Sequence, residues 1–356
     1  MPDVDPTSLI QSWPVPSRPR PIVIFGAGSI VGDAHVPAYR KGGFPVAGLY
    51  DPDHVKAKAL AKTWGVTAYA SVEEAVAVEG AVFDLATPPA AHAKVLESLP
   101  DGAAVLIQKP MGADLVAATE ILDICRRKNL KAAVNFQLRF APMMLALKDA
   151  IGKGLLGEVV DVDVHLVLDT PWHLWSFLEG LPRIEIAMHS IHYLDVIREL
   201  LGDPNGVHAK SIGHPAHTMA QTRTTAILDY GESVRCALSI NHDHRFGRRH
   251  QACGFTISGT EGAAYLQLGV NLDYPRGEPD ILEIHPRGGA GWISVPLTGT
   301  WFPDAFTGRM ANLQRFASGE DTTLVSSVED AWMTMALVEA AYASSASPAT
   351  PLAKRP

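Results

Sequence analysis

The chain is poor in the residues that build disulfide frameworks, basic surfaces and membrane spans. Only three cysteines, Cys125, Cys236 and Cys253, occur in 356 residues. They are far apart, odd in number and free of Cys-x-x-Cys spacing. That argues against a disulfide framework or a thiolate zinc site and suits buried thiols in a reducing cytoplasm. Basic residues are outnumbered, 30 Lys and Arg against 38 Asp and Glu. The resulting net charge of −8 argues against nucleic acid as the main partner, because phosphate recognition needs a basic face. No apolar run approaches the ~20 residues of a membrane helix, so no membrane partner is expected. Residues 1–20 are proline-rich with mixed charge and lack the apolar core of a secretory signal. They read as a flexible tail. No internal repeat is visible, and the only biased segment is the Ser/Ala/Pro-rich end.

What is present is enough chain for two domains. The first third alternates apolar runs (21–25, 45–50, 81–87, 103–109, 131–136) with amphipathic segments at helical spacing (53–64, 90–99, 114–128). Strand–helix alternation of this kind predicts a doubly wound α/β domain, a parallel sheet with helices on both faces. After about Pro142 the pattern changes. A helix over 143–152 leads to an alternating stretch, 157–169, in which Val159, Asp161, Asp163 and His165 share one face. Further strands are predicted at 222–230, 232–241, 254–259 and 263–268, with a hairpin at Tyr230-Gly231-Glu232. Helices over 183–201 and 328–344 interrupt and close this part. The expected architecture is a tail (1–20), a parallel-sheet domain (21–140), and an α+β domain with a large, mostly antiparallel open sheet (141–325). A C-terminal helix (326–346) is expected to pack back on the first domain.

Gly26-Ala27-Gly28-Ser29-Ile30-Val31-Gly32 follows the first strand and opens a helix. Gly26 permits a tight turn, and Gly28 lets the backbone approach a pyrophosphate, which Ser29 and Ile30 would help to cradle at the helix N-terminus. The third glycine of the usual fingerprint is displaced: Val31 takes its place and Gly32 comes next. Asp51 ends the second strand roughly 20 residues beyond the glycines. A carboxylate there accepts hydrogen bonds from ribose hydroxyls and repels a 2′-phosphate. The first domain therefore reads as a Rossmann unit, with NAD preferred over NADP.

Two further segments resemble the Gfo/Idh/MocA family of sugar and cyclitol oxidoreductases. Thr87-Pro88-Pro89-Ala90-Ala91-His92 stands where that family has a Thr-Pro-x-x-x-His loop beside the dinucleotide, and Gln108-Lys109-Pro110 resembles its Glu-Lys-Pro motif. The likeness continues through the segment from Asn135 past Gln137 and Arg139 to Phe140, the His192-Tyr193-Leu194-Asp195 helix, and Gly259-Thr260-Glu261-Gly262. It implies hydride transfer at a nicotinamide held between the two domains, cofactor contacts from Thr87, Pro88, His92 and Gln108, and substrate contacts from Asn135, Gln137 and Arg139. It also implies oligomer contacts, a homodimer or homotetramer, through the open sheet.

Alcohol oxidation by NAD needs a proton acceptor and a donor to the substrate oxygen. Lys109, at the C-terminal edge of a parallel strand, is placed for that role, and desolvation would lower its pKa. His192 is the matching base, on a helix that also carries His189 and Asp195. The family commonly has an Asp one turn before this His; here the position is Met188. His189 could supply part of that function, or Lys109 could act alone. Gln108 in place of Glu removes a charge beside Lys109 and keeps a hydrogen-bonding side chain. The histidines His165, His173, His189, His192, His242 and His244 also invite a metal reading, but no third ligand is identifiable beside His242-Asp243-His244. A carbohydrate-binding surface is favoured there, and no metal is expected. Trp172 and His173, in Thr170-Pro171-Trp172-His173-Leu174-Trp175, form a candidate substrate loop. Arg245, Arg248 and Arg249 are either solvated or aimed at an anionic substituent. The function read from these residues is an NAD-dependent oxidoreductase for a sugar, sugar acid or cyclitol. The alternatives are an NAD-retaining glycoside-cleaving enzyme and a ligand-sensing protein.

Overall fold

The computed structural model describes Asp5 and residues 8–174, 178–274 and 276–353. Six short strands form the first sheet: β1 (Ile22–Phe25), β2 (Val46–Tyr50), β3 (Thr67–Ala68), β4 (Val82–Leu85), β5 (Ala104–Ile107) and β6 (Lys131–Val134). Their order is β3-β2-β1-β4-β5-β6 and every pair is parallel. This is the Rossmann arrangement. Strands β1, β4 and β5 are buried along their whole length, as a sheet covered on both faces requires. The crossovers run through α1 (Val36–Lys41), α2 (His54–Trp64), α3 (Val72–Val76), α4 (His92–Ser98) and α5 (Leu115–Arg127). Local chemistry sets their ends. Asp53 caps α2 by accepting the Val55 and Lys56 N–H groups, and Gly65 ends it in the left-handed region. Neither β3 nor α3 was anticipated, because two and five residues are too few to show a period.

Helix α6 (Pro142–Gly152) leads into the second sheet: β7 (Val159–Val167), then α7 (Ile191–Leu201), then β8 (Gly206–Ile212), β9 (Arg223–Asp229), β10 (Arg235–Asn241), β11 (Ala252–Gly259), β12 (Gly262–Gln267), β13 (Ile281–Pro286) and β14 (Ile293–Ser294). The order is β14-β13-β12-β11-β7-β10-β9-β8, antiparallel except for β7 with β10. Val162, Val164 and Leu166 of β7 point into the core, while Asp161, Asp163 and His165 point out. On that outer face Arg235 holds both Asp161 and Asp163. The strands expected from alternation are present. Strand β8 escaped because its sequence barely alternates; as an edge strand it turns its free N–H groups to side chains. Ala209 and Ser211 donate to the hydroxyls of Ser344 and Ser345. Those serines belong to α9 (Val328–Ala346), which follows α8 (Asp304–Ser318).

Three returning segments join the halves. Helix α8, inside the range read as the second domain, lays Phe306, Met310 and Leu313 against Ile22, Ile24 and Leu106 on one face of the first sheet. Helix α9 contacts α5, where the Trp332 indole donates to Thr119 Oγ1, and its leading residue pair Ser326–Ser327 extends β6. The segment 1–20, read from composition as a loose tail, is tied down from Ser8 onward. Leu9 is buried, Ile10 N–H donates to Asp149, and Trp13 packs edge-on to Phe140 while its indole donates to Asp321.

Candidate active site

All the first-domain motifs lie just beyond the C-terminal ends of parallel strands, on one edge of the sheet. Gly26 follows β1 with φ of +116°, and a Cβ there would stand 2.3 Å from the Ala86 carbonyl oxygen. Only glycine lets this turn press against the end of β4. Gly28 faces open space, with nothing within 4 Å of where its Cβ would be. The displaced glycine has a geometric cause. The helix opens with a π-helical turn, Val31–His35, before α1, and the extra residue in that turn moves the close-packing position on by one. Gly32 therefore meets helix α2, its Cβ direction 3.2 Å from Leu60 Cδ1. Asp51 accepts Ala27 N–H through Oδ2 and Asp53 N–H through Oδ1, both at 2.8 Å, and so fixes the turn beside the helix start. A glycine turn, open space at Gly28, exposed Ser29 and a carboxylate at the end of β2 fit a dinucleotide.

After β4, Thr87 and Pro88 form a loop braced from beneath by His92. That ring is fully buried, bonds the Thr87 carbonyl at 3.1 Å, and is pushed down to about 4 by burial. After β5, Gln108 accepts the Lys109 N–H at 2.9 Å and lies 3.3 Å from His35 Nε2. An amide NH2 can only donate, so His35 Nε2 is the acceptor and its Nδ1–H goes to Asp84 at 2.6 Å. Tyr39 also donates to Asp84, at 2.7 Å. This buried relay, absent from the sequence reading, clamps the backbone at Lys109.

The Lys109 ammonium crosses to the second domain and donates to the Met188 carbonyl at 2.6 Å. Burial pulls it down to about 8. Met188 belongs to a π-helical segment, Glu185–Ser190, that precedes α7. His192 sits in the first turn of α7, its ring edge-on to Phe136 and Trp301. Burial, and then the Lys109 charge, hold His192 well below the usual imidazole range. His189 is lowered by burial and then by His242, His192 and Lys109. The fold thus brings Lys109, His189 and His192 together. Asn135 follows β6 and is fully buried, yet among the described residues neither end of its amide finds a partner, nor do Gln137 Oε1, His189 Nδ1 and His192 Nδ1.

Arg139 is not in this group. Its guanidinium is buried against Asp195, with Nε to Oδ2 at 2.5 Å and Nη2 to Oδ1 at 2.6 Å, and against Asp330 at 2.8 Å. Both charges are engaged in bridging the domains, and the Asp195 carboxylate is turned to Arg139 and Thr334. His242 and His244 also part company. His242 is fully buried against Glu185, whereas His244 turns to the Arg249 carbonyl. Trp172 stacks obliquely on His242, its neighbour His173 is solvent-exposed, and Trp175 lies outside the described residues. Arg248 is held by Glu278. Glu185 went unnoticed in the sequence, although its i, i+4 spacing to His189 was there to find.

Residues 20–136 match the oxidoreductase family with an NAD-binding Rossmann fold, and residues 144–265 match the GFO/IDH/MocA C-terminal domain. D-apiose dehydrogenase of Paraburkholderia graminis is 26% identical over 333 residues, 87% of this chain and 84% of that protein. Glucose-6-phosphate 3-dehydrogenase of Bacillus subtilis is 31% identical over 147 residues, 40% of this chain and 41% of that one. Among solved structures, an oxidoreductase from Agrobacterium radiobacter in complex with NAD+, L-tartaric acid and magnesium superimposes with a TM-score of 0.78 at 21% identity, covering 92% of this chain and 97% of that one. Levoglucosan dehydrogenase with NADH and levoglucosan gives 0.76 at 17% identity, covering 92% and 98%. Two domain matches in the same order as the two sheets, together spanning most of the chain, make the protein a member of the Gfo/Idh/MocA family of oxidoreductases.

Proposed function

We propose that the protein is an NAD-dependent dehydrogenase or reductase acting on a hydroxyl-bearing carbon of a sugar, sugar acid or cyclitol. The observation that carries this reading is the reach of Lys109 across the cleft into the group containing His192 and His189. Two proton acceptors from different segments, partly buried Lys109 and buried His192, then stand close enough for the charge of one to act on the other. A bound nicotinamide supplies the hydride acceptor or donor. Lys109 and His192 take up or return the hydroxyl proton: burial keeps the imidazole neutral and lowers the amine toward neutrality, where proton transfer in both directions is efficient. Asn135 and Gln137, with unpartnered amide atoms, offer hydrogen bonds to a polyhydroxylated ligand. The Asp51 carboxylate beside the glycine turn favours NAD over NADP, since it would repel a 2′-phosphate. The relatives named for D-apiose and glucose 6-phosphate support a carbohydrate substrate. The outer face of the second sheet, with Ile212 and Ile227 exposed, is the surface through which we infer a homodimer or homotetramer forms.

The test is absorbance at 340 nm with NAD and a panel of sugars, sugar acids and cyclitols. Lys109→Ala should lower turnover by about 10²–10⁴ while dinucleotide binding stays intact. Full turnover in that variant refutes the role given to Lys109. Glycoside cleavage without net NADH would replace dehydrogenation by the cofactor-retaining alternative.

A further inference from the structure

On the second-domain side, beside Lys109 and His192, three donor groups converge, two of which, Glu185 and His242, the hydride-transfer reading does not use. Glu185 and His189 stand one turn apart on the π-helical segment, and His242 directly follows β10. His242 Nε2 lies 3.4 Å from Glu185 Oε1. The rings of His189 and His242 are edge to face with centroids 4.4 Å apart. One donor atom from each of the three residues lies within 4.8 Å of the others. Glu185 and His242 are wholly buried. Yet Glu185 Oε2, His189 Nδ1 and His242 Nε2 have no hydrogen-bond partner among the described residues. Buried polar atoms are seldom left so, and three residues of one close cluster each carry one.

We propose that Glu185, His189 and His242 bind a divalent transition-metal ion of the zinc class, leaving a coordination position open. Two imidazoles and a carboxylate are a donor set that such ions accept, and three protein ligands leave room for a fourth. Ligand atoms about 2.0–2.1 Å from a tetrahedral ion stand roughly 3.3 Å apart; the Glu185–His242 separation already matches. The outer contacts fit as well. Thr170 Oγ1 lies 2.7 Å from His242 Nδ1, so an Nδ1–H donated to it leaves the Nε2 lone pair for the ion. The Ser190 hydroxyl donates to Glu185 Oε1 at 2.5 Å and holds the carboxylate in place.

The contrast with His214, His217 and Asp243, another close trio, is instructive. There His217 bonds Asp243 at 2.8 Å and the Met219 N–H, Thr222 occupies the other Asp243 oxygen, and His214 accepts the Ala216 N–H. That trio is closed by hydrogen bonds. The Glu185 trio is open. Its free coordination position would take water or an oxygen of a hydroxylated substrate; only that last assignment rests on the oxidoreductase reading.

The experiment uses the full chain, stripped with a chelator and titrated with Zn(II) by calorimetry and with Co(II) by visible absorption. The expected result is one ion per chain, with Co(II) d–d bands and no thiolate charge transfer. Glu185→Gln and His242→Ala should each weaken Zn(II) binding by more than about 100-fold, beyond what a lost outer partner produces, while His217→Ala leaves it unchanged. No uptake by the unmodified protein overturns the proposal, as does uptake indifferent to Glu185→Gln and His242→Ala. X-ray absorption of the unmodified zinc-loaded protein decides the matter even if a variant misfolds: two imidazoles and no sulfur support the site, and any other shell refutes it. Binding is read without turnover, so loss of the ion and failure of hydride transfer are separate results.

Discussion

Replacing Arg139 with Met takes one charge out of a buried pair and leaves the other behind. Asp195 is fully buried and, among the described residues, would keep only the Thr334 hydroxyl, 2.9 Å away, as a donor in place of the two guanidinium bonds. Burial pushes its carboxyl up even against the pull of Arg139. Stripping one member from a buried ion pair costs about 3–5 kcal/mol. The pH dependence has a definite sign. In the variant the folded-state pKa of Asp195 stands further above its unfolded value of about 3.9, so the carboxyl is protonated and the penalty small in acid. The unmodified protein already holds this carboxyl at about 6, so the deficit grows only above about pH 6, by about 1.4 kcal/mol per unit until the variant's higher folded pKa is passed. Denaturant unfolding at pH 5 and pH 8 should show the larger loss at pH 8, and adding Asp195→Asn should recover part of it. A deficit below about 1 kcal/mol at pH 8 together with a raised KM would return Arg139 to the substrate-binding role that its motif suggests.

Other outcomes follow from the same geometry. His92, held down to about 4 in the folded state against about 6.5 unfolded, stabilises the protein fully only above pH 6.5; about 3 kcal/mol is lost as pH falls to 4. Unfolding curves of His92→Gln should be flatter over that window. Gly26→Ala forces a Cβ against the Ala86 carbonyl at a strained φ and should abolish soluble expression or remove several kcal/mol, whereas Gly32→Ala, facing a movable Leu60 methyl, should stay within about 1 kcal/mol by thermal denaturation. Trp13→Ala should cost about 2 kcal/mol, less than a fully buried Trp because the ring is half-exposed, and equal stability would mean that the N-terminal segment contributes nothing.

The first domain was readable because its information is local. Apolar runs, a glycine turn and polar residues at strand ends are dictated by a sheet buried on both faces with a site along one edge. The displaced glycine looked like a defect in sequence because a fingerprint assumes α-helical spacing; a π-turn changes the count by one without changing the packing. The bridge made by Arg139 was hidden for a related reason. Arg139 stands two residues from Gln137, and nothing local reveals that its partners Asp195 and Asp330 lie 56 and 191 positions away. Glu185 showed in sequence only its i, i+4 spacing to His189; the third member, His242, is brought to it by the return of β10. Edge strand β8 carries little alternation because serines of α9, far along the chain, satisfy its backbone.

The return of α8 onto the first sheet has a consequence for synthesis on the ribosome. When β6 has emerged, one face of the sheet, including Ile22, Ile24 and Leu106, still lacks the helix that carries Phe306, Met310 and Leu313. About 170 residues separate β6 from α8. At roughly 5–20 residues per second that apolar face stays uncovered for about 10–35 s. A nascent chain with a finished nucleotide-binding sequence is therefore not yet a finished domain, and throughout that interval it offers a hydrophobic surface to whatever chaperone attends it.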